Sequence, residues 1–205
     1  MTSTRRYFDK HARAFDRLYA RPGAVACLRR GPERGRELAA SVVARHPAPS
    51  VLDVGCGPGR VAEAVVHAGA ATYVGIDVSP QMLALARRRL EGCESVELLE
   101  GDFLDSDLSR SFDVVLALGL FDYLEDPARA AAWLRARCSS TLVASFTRWD
   151  WVKGPLRHVR YEVLHRRPVY DYTDAGVEEL LAAAGFSSVQ FAWRGRRGFL
   201  VCATP

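Results

Sequence analysis

Residues 51–60 read Val-Leu-Asp-Val-Gly-Cys-Gly-Pro-Gly-Arg, and this segment restricts the fold more than any other. Val51–Val54 is a short apolar run with β-branched residues, suited to a buried parallel strand. Gly55, Gly57 and Gly59 follow at alternate positions, and Arg60–Ala68 has a helical pattern closed by Gly69. A strand, a glycine turn and a helix start make a backbone cradle. The glycines let the main chain approach a ligand closely, and the free N–H groups of the helix start favour an anionic group.

The same alternation continues along the chain. Thr72–Asp77 reads as a second strand, after which Ser79 and Pro80 open a helix as N-cap and first helical residue. Val96–Leu99 is a third strand, followed by Glu100-Gly101-Asp102-Phe103, and Phe112–Leu118 is a fourth, ending in Gly119-Leu120-Phe121-Asp122-Tyr123. Pro127–Cys138 reads as a helix and Thr141–Phe146 as a fifth strand. Strand and helix alternating in this way predict a doubly wound parallel sheet, with ligands at the carboxyl ends of the strands. After it come a helix over Asp174–Ala184 and two strands, Val189–Trp193 and Gly198–Ala203, joined by a Gly195-Arg196-Arg197-Gly198 turn.

A dinucleotide turn requires Gly-x-Gly-x-x-Gly, and counting from Gly55 the third glycine position is Arg60. A nicotinamide-dependent oxidoreductase is therefore a distant reading. Asp53-x-Gly55-x-Gly57-x-Gly59, Gly75-Ile76-Asp77-x-Ser79-x-x-Met82-Leu83 and Gly101-Asp102-Phe103, in this order, instead resemble the class I S-adenosylmethionine-dependent methyltransferases. The resemblance runs over roughly residues 50–205. It implies a Rossmann-like seven-stranded sheet of order 3-2-1-4-5-7-6 with the last strand antiparallel, and S-adenosyl-L-methionine as cofactor. It assigns the cofactor to Asp53, Gly55, Cys56, Gly57, Gly59, Asp77, Val78, Met82, Asp102, Phe103 and Leu118. Asp77 would accept from the ribose hydroxyls, Val78 and Met82 would pack on adenine, and Asp102 would receive its amino group. Ordinary core packing is the competing reading of Met82, and a turn residue that of Asp102.

Composition narrows the function further. The 205 residues suffice for one domain, divided here into N-terminal helices (1–46), a cofactor core (50–146), an insertion (147–172) and a C-terminal helix and hairpin (173–205). No apolar run is long enough to span a membrane, and the first residues lack a signal-peptide core. The five cysteines (27, 56, 93, 138, 202) have no paired spacing, which points to a reducing, cytoplasmic setting with Cys27, Cys138 and Cys202 as small buried residues. The net charge is +4, too mild for a dedicated nucleic-acid binder. The chain contains no asparagine, so the Asp-Asp-Asn metal set of catechol-type methyltransferases cannot be complete. No His/Cys cluster has zinc spacing either, and no catalytic metal is expected.

The substrate half is less legible. Tyr7, Phe8, His11, Phe15, Leu18 and Tyr19 recur at helical spacing among Asp9, Lys10, Arg13, Asp16 and Arg17. They predict an amphipathic helix, either packed on the sheet edge or closing over the cofactor as a lid. Arg21-Pro22-Gly23 breaks it, and Glu33–His46 reads as a second helix. Thr147–Tyr172 is too long for a plain connector and is rich in Arg, His, Trp and Tyr, with a helix expected over Leu156–Arg166. As a substrate cover it suggests an acidic or aromatic small molecule; as a plain surface helix it suggests nothing. Tyr19, Phe121, Tyr123, His158 and Tyr161 are candidates for the acceptor site, with His158 and His165 as possible bases. The leading reading is metal-free O- or N-directed methyl transfer to a small molecule. An RNA or protein methyltransferase, and a non-catalytic cofactor-binding regulator, are the alternatives.

Overall fold

The computed structural model describes residues 3–20, 26–148 and 169–205. Its centre is a seven-stranded sheet built from β1 (Ser50–Val54), β2 (Thr72–Asp77), β3 (Val96–Glu100), β4 (Phe112–Ala117), β5 (Cys138–Thr147), β6 (Ser188–Gly195) and β7 (Gly198–Thr204). The order is β3-β2-β1-β4-β5-β7-β6. The first five strands are mutually parallel, and β7 runs antiparallel to both β5 and β6. Both the alternation and the closing hairpin expected from the sequence are present.

Helices cover the two faces because the strands are apolar on both. On one side α5 (Pro127–Arg137) and α6 (Asp174–Ala183) bury Ala130, Ala131, Leu134, Val177 and Leu181 against Leu52, Val74, Val115, Leu142 and Val201. On the other, α2 (Ala26–Val43), α3 (Arg60–His67) and α4 (Pro80–Arg89) bury Ala39, Val42, Val43, Val65 and Leu83 against Val51, Val114, Leu116 and Val143. The remaining helix, α1 (Ser3–Ala20), lies against α4.

Two boundaries differ from expectation for physical reasons. The helix predicted from Glu33 begins at Ala26 and runs through Pro32, which removes one backbone hydrogen bond and crowds the carbonyl four residues back. Cys138, expected to end α5, is the first residue of β5 and pairs with Phe112, so helix passes into strand without a loop. Cys138 is buried as expected, Cys202 is half-buried, and the Cys27 side chain lies outside the described residues. So do the Arg21-Pro22-Gly23 break and residues 149–168 of the 147–172 insertion. Among the described residues no helix is long and apolar enough to cross a membrane.

One notch in the sheet positions the glycine turn. Gly75, in the middle of β2, has no room for a side chain: a Cβ there would lie 2.9 Å from Cys56 Sγ, 2.9 Å from Leu98 Cδ2 and 3.0 Å from Tyr73 Cε1. The missing side chain lets Cys56 drop out of the turn into the core. Gly75→Ala should therefore destabilise the protein by about 1–3 kcal/mol through overpacking, read as a lower urea midpoint at unchanged slope.

Candidate functional site

The turn after β1 is held by the end of β2. Gly55 N–H and Cys56 N–H both donate to the Ile76 carbonyl, at 2.8 and 3.2 Å. The Asp77 carboxylate accepts from Gly57 N–H on one oxygen and from Ser79 N–H on the other, each at 2.9 Å. Gly55, Gly57 and Gly59 have φ of 75, 54 and 75°, a left-handed series that side chains disfavour. At Gly59 a Cβ would also sit 3.1 Å from the Ala86 backbone, so this glycine allows α4 to approach. Ser79 caps α4 by accepting from Met82 N–H, with Pro80 next to it, as the sequence predicts.

The cradle is open above these contacts. A Cβ at Gly101 or Gly119 would meet nothing within 4 Å among the described residues, and one at Gly57 would meet only the Gly55 carbonyl, at 4.0 Å. Gly57, Asp77, Val78, Asp102 and Gly119 all lie at the carboxyl ends of β1 to β4. Burial pushes the Asp77 carboxyl above its ordinary value, with the two N–H donors opposing and the Asp9 carboxylate adding to the rise. Hydroxyl donors placed beside it would be favoured, because each of its oxygens retains a second lone pair.

Several residues assigned to the cofactor lie under the cradle. Asp53 is 2% exposed and accepts from the Tyr73 hydroxyl at 2.7 Å. Its pKa rises from 3.8 to about 7, chiefly through burial, with the Tyr73 bond opposing. The Cys56 side chain is buried against Gly75, and burial pushes its thiol well above the usual range, so only its backbone faces the turn. Met82 is buried in the first turn of α4, and the Phe103 ring packs edge-on against Trp133 at 5.2 Å. Asp102 is exposed and caps the turn over Phe103–Asp105 by accepting from Leu104 N–H. Leu118 is half-buried, beside Gly35 of α2.

The acceptor candidates divide. Phe121 is fully buried, its ring stacked on Phe146 at 4.5 Å. Tyr123 is half-buried at the rim, edge-on to Phe8 at 5.6 Å. Tyr19 lies in the last turn of α1, but its side chain falls outside the described residues, as do His158, His165 and Tyr161.

The sequence reading passed over the residues that fasten α1. Asp9 accepts from the Ser79 hydroxyl at 2.6 Å. Asp16 binds Arg60 and Arg89, both at 2.9 Å, and its backbone carbonyl takes a second bond from Arg60. Arg89 also reaches the Pro58 carbonyl in the turn, and Arg5 binds Glu100 at 2.7 Å. With the Phe8–Tyr123 contact, α1 spans the carboxyl ends of β1 to β4. The sequence does carry a signal for this, since Phe-Asp recurs at 8–9 and 15–16, one heptad apart on one helix face. Among the described residues no group of His, Cys, Asp and Glu is arranged to hold a metal ion.

Residues 51–140 match a family model described as a methyltransferase domain. The chain is 40% identical over 81 residues to a ubiquinone biosynthesis O-methyltransferase of Pseudomonas fluorescens, covering 38% of this chain and 34% of that one. It is 29% identical over 92 residues to a malonyl-[acyl-carrier protein] O-methyltransferase of Halalkalibacterium halodurans, covering 42% and 34%. The match thus spans about a third of the length of these curated relatives. In structure the chain is similar to a magnesium protoporphyrin IX methyltransferase from Synechocystis with bound SAH, at a TM-score of 0.74 and 22% identity over 98% of this chain and 97% of that one. It is also similar to a possible histamine N-methyltransferase from Thermotoga maritima, at 0.69 and 17% over 98% of each chain.

Two outcomes follow from this geometry. Asp16→Ala should release α1 and raise amide exchange across residues 3–20 roughly tenfold while leaving β1 and β4 protected, as expected for about 1–2 kcal/mol of charged hydrogen bonding. In hydrogen-exchange mass spectrometry, unchanged protection would show that these ion pairs do not hold the helix. For Asp53 the folded pKa lies above the unfolded one, so the stabilising contribution is complete below about pH 4 and is lost as pH rises to about 7. Asp53→Asn should accordingly melt with wild type near pH 4 and at least about 3 °C above it at pH 8.

Proposed function

We propose that this chain is a class I S-adenosylmethionine-dependent methyltransferase and that it transfers a methyl group from S-adenosyl-L-methionine to a small-molecule oxygen or nitrogen acceptor. The observation that carries this reading is the open glycine turn joined to the Asp77 carboxylate beneath α1. The left-handed turn leaves room for a ligand at Gly57, and its donors are already ordered by β2, so little backbone freedom is lost on binding. The bound cofactor supplies an electrophilic methyl group on a cationic sulfur.

Each part of the chain has a separate task. The backbone of Gly55, Gly57 and Gly59 would hold the amino-acid end of the cofactor, while Asp77 would take its ribose hydroxyls. Val78 and Asp102 would flank the base, and Leu118 would close the side toward α2. Asp53, Cys56, Met82 and Phe103 shape the site from beneath. The α1 helix, pinned by Asp9, Asp16 and Arg5, would exclude water, which strengthens electrostatic interactions within. Holding the acceptor in line with the methyl group from the Gly119–Tyr123 side would supply much of the rate enhancement by orientation.

Calorimetry with S-adenosylhomocysteine and, separately, with NAD tests the reading. Micromolar binding of the first alone is expected; binding of NAD instead would overturn it. Asp77→Ala should weaken binding of S-adenosylhomocysteine by about 1.5–3 kcal/mol, roughly ten- to a hundredfold, since hydrogen bonds to a charged group are lost.

A further inference from the structure

A second polar constellation lies on the same end of the sheet, outside the cofactor cradle. Because β7 is antiparallel to β5 with Thr147 paired to Gly198, the β6–β7 turn lies at the carboxyl end of β5. Arg148, the residue after β5, donates its backbone N–H to the Arg197 carbonyl at 3.0 Å. Its guanidinium lies 4.5 Å from the Phe199 ring centre, and that of Arg194 lies 4.0 Å from the centre of Phe191. Both bind the one carboxylate of Asp174, Arg148 on Oδ1 and Arg194 on Oδ2 at 2.9 Å. Two guanidinium groups are thus fixed over aromatic faces and share one negative charge, while their side chains stay 39% and 53% exposed.

This rim is continuous with the acceptor side of the cradle. Arg148 bridges to Tyr172, the Tyr172 hydroxyl donates to the Phe121 carbonyl at 3.0 Å, and Tyr170 N–H donates to the Asp122 carbonyl at 3.0 Å. The Asp122 side chain is turned to Thr147, accepting from its N–H and hydroxyl at 3.2 and 2.6 Å. Building on the methyltransferase reading above, we propose that Arg148 and Arg194 form an anion subsite for the methyl acceptor. The acceptor is then a molecule with a carboxylate or phosphate some two strand spacings, ~10 Å, from the atom that takes the methyl group. A guanidinium already held in place loses little freedom on binding such a group and presents its remaining donors as a fork.

The test uses the full chain saturated with S-adenosylhomocysteine, whose own binding is measured first. No binding at that step defeats the methyltransferase reading rather than the subsite. Calorimetric titrations then follow with 2-naphthoate, 2-naphthyl phosphate and neutral 2-naphthol. We expect at least one anion to bind ten times or more tighter than the alcohol, and which one it is separates carboxylate from phosphate. The advantage should weaken with added sodium chloride and fall at least fivefold in Arg194→Gln and Arg148→Gln, with S-adenosylhomocysteine affinity unchanged. Should either variant fail to fold, the salt dependence and competition by inorganic phosphate on the wild-type chain still decide. Equal binding of the three probes, an anion preference untouched by both substitutions, or a single-stranded RNA oligonucleotide outcompeting both anions through Arg194 would each overturn the proposal.

Discussion

Two residues at the tip of β2 organise the cradle. The Ile76 carbonyl and the Asp77 carboxylate together receive the N–H groups of Gly55, Cys56, Gly57 and Ser79. Three of these belong to the turn after β1 and one to the cap of α4. A left-handed run of glycines has no intrinsic preference for a single shape, since glycine loses more freedom on folding than any other residue. The shape is imposed here from the neighbouring strand. The notch at Gly75 belongs to the same region, because it receives the side chain of Cys56, whose N–H shares the Ile76 carbonyl with that of Gly55.

Asp53 and Asp77 show how one residue type serves two purposes at neighbouring strand tips. Asp77 is buried but meets two backbone donors, one on each oxygen. Asp53 lies a layer below, answered by a phenol whose own ionisation is suppressed by burial and by the nearby carboxylates. The rise in the Asp53 pKa therefore reports burial under the site and not contact with a ligand.

The alternation of strand and helix was readable because its signals are local: β-branched runs of strand length, glycine and proline punctuation, and a serine-proline helix start at 79–80. The strand order was carried by the family resemblance and not by any local pattern. Side-chain direction at the strand tips was not readable. Phe103 follows Asp102, and Phe121 lies two residues after Gly119 at the ligand end, yet both rings turn into the core, a choice made by distant partners such as Trp133 and Phe146. Asp9 and Asp16 looked like the wet face of an amphipathic helix. Their partners Ser79, Arg60 and Arg89 are 44 to 73 residues away in the chain, and no single-helix pattern foretells them.

The seam between α1 and α4 runs from Asp9 at the Ser79 cap to Asp16 at Arg89 in the last turn, so the two helices point the same way. Their macrodipoles therefore repel mildly, and charged side chains offset this. Pairs of this kind, only partly shielded from solvent, weaken as counter-ions accumulate, whereas the apolar sheet below is nearly indifferent to them. The door of the molecule and its frame thus answer to different properties of the surrounding water: ionic strength sets how tightly the helix rests, and the hydrophobic effect sets whether there is a site for it to cover.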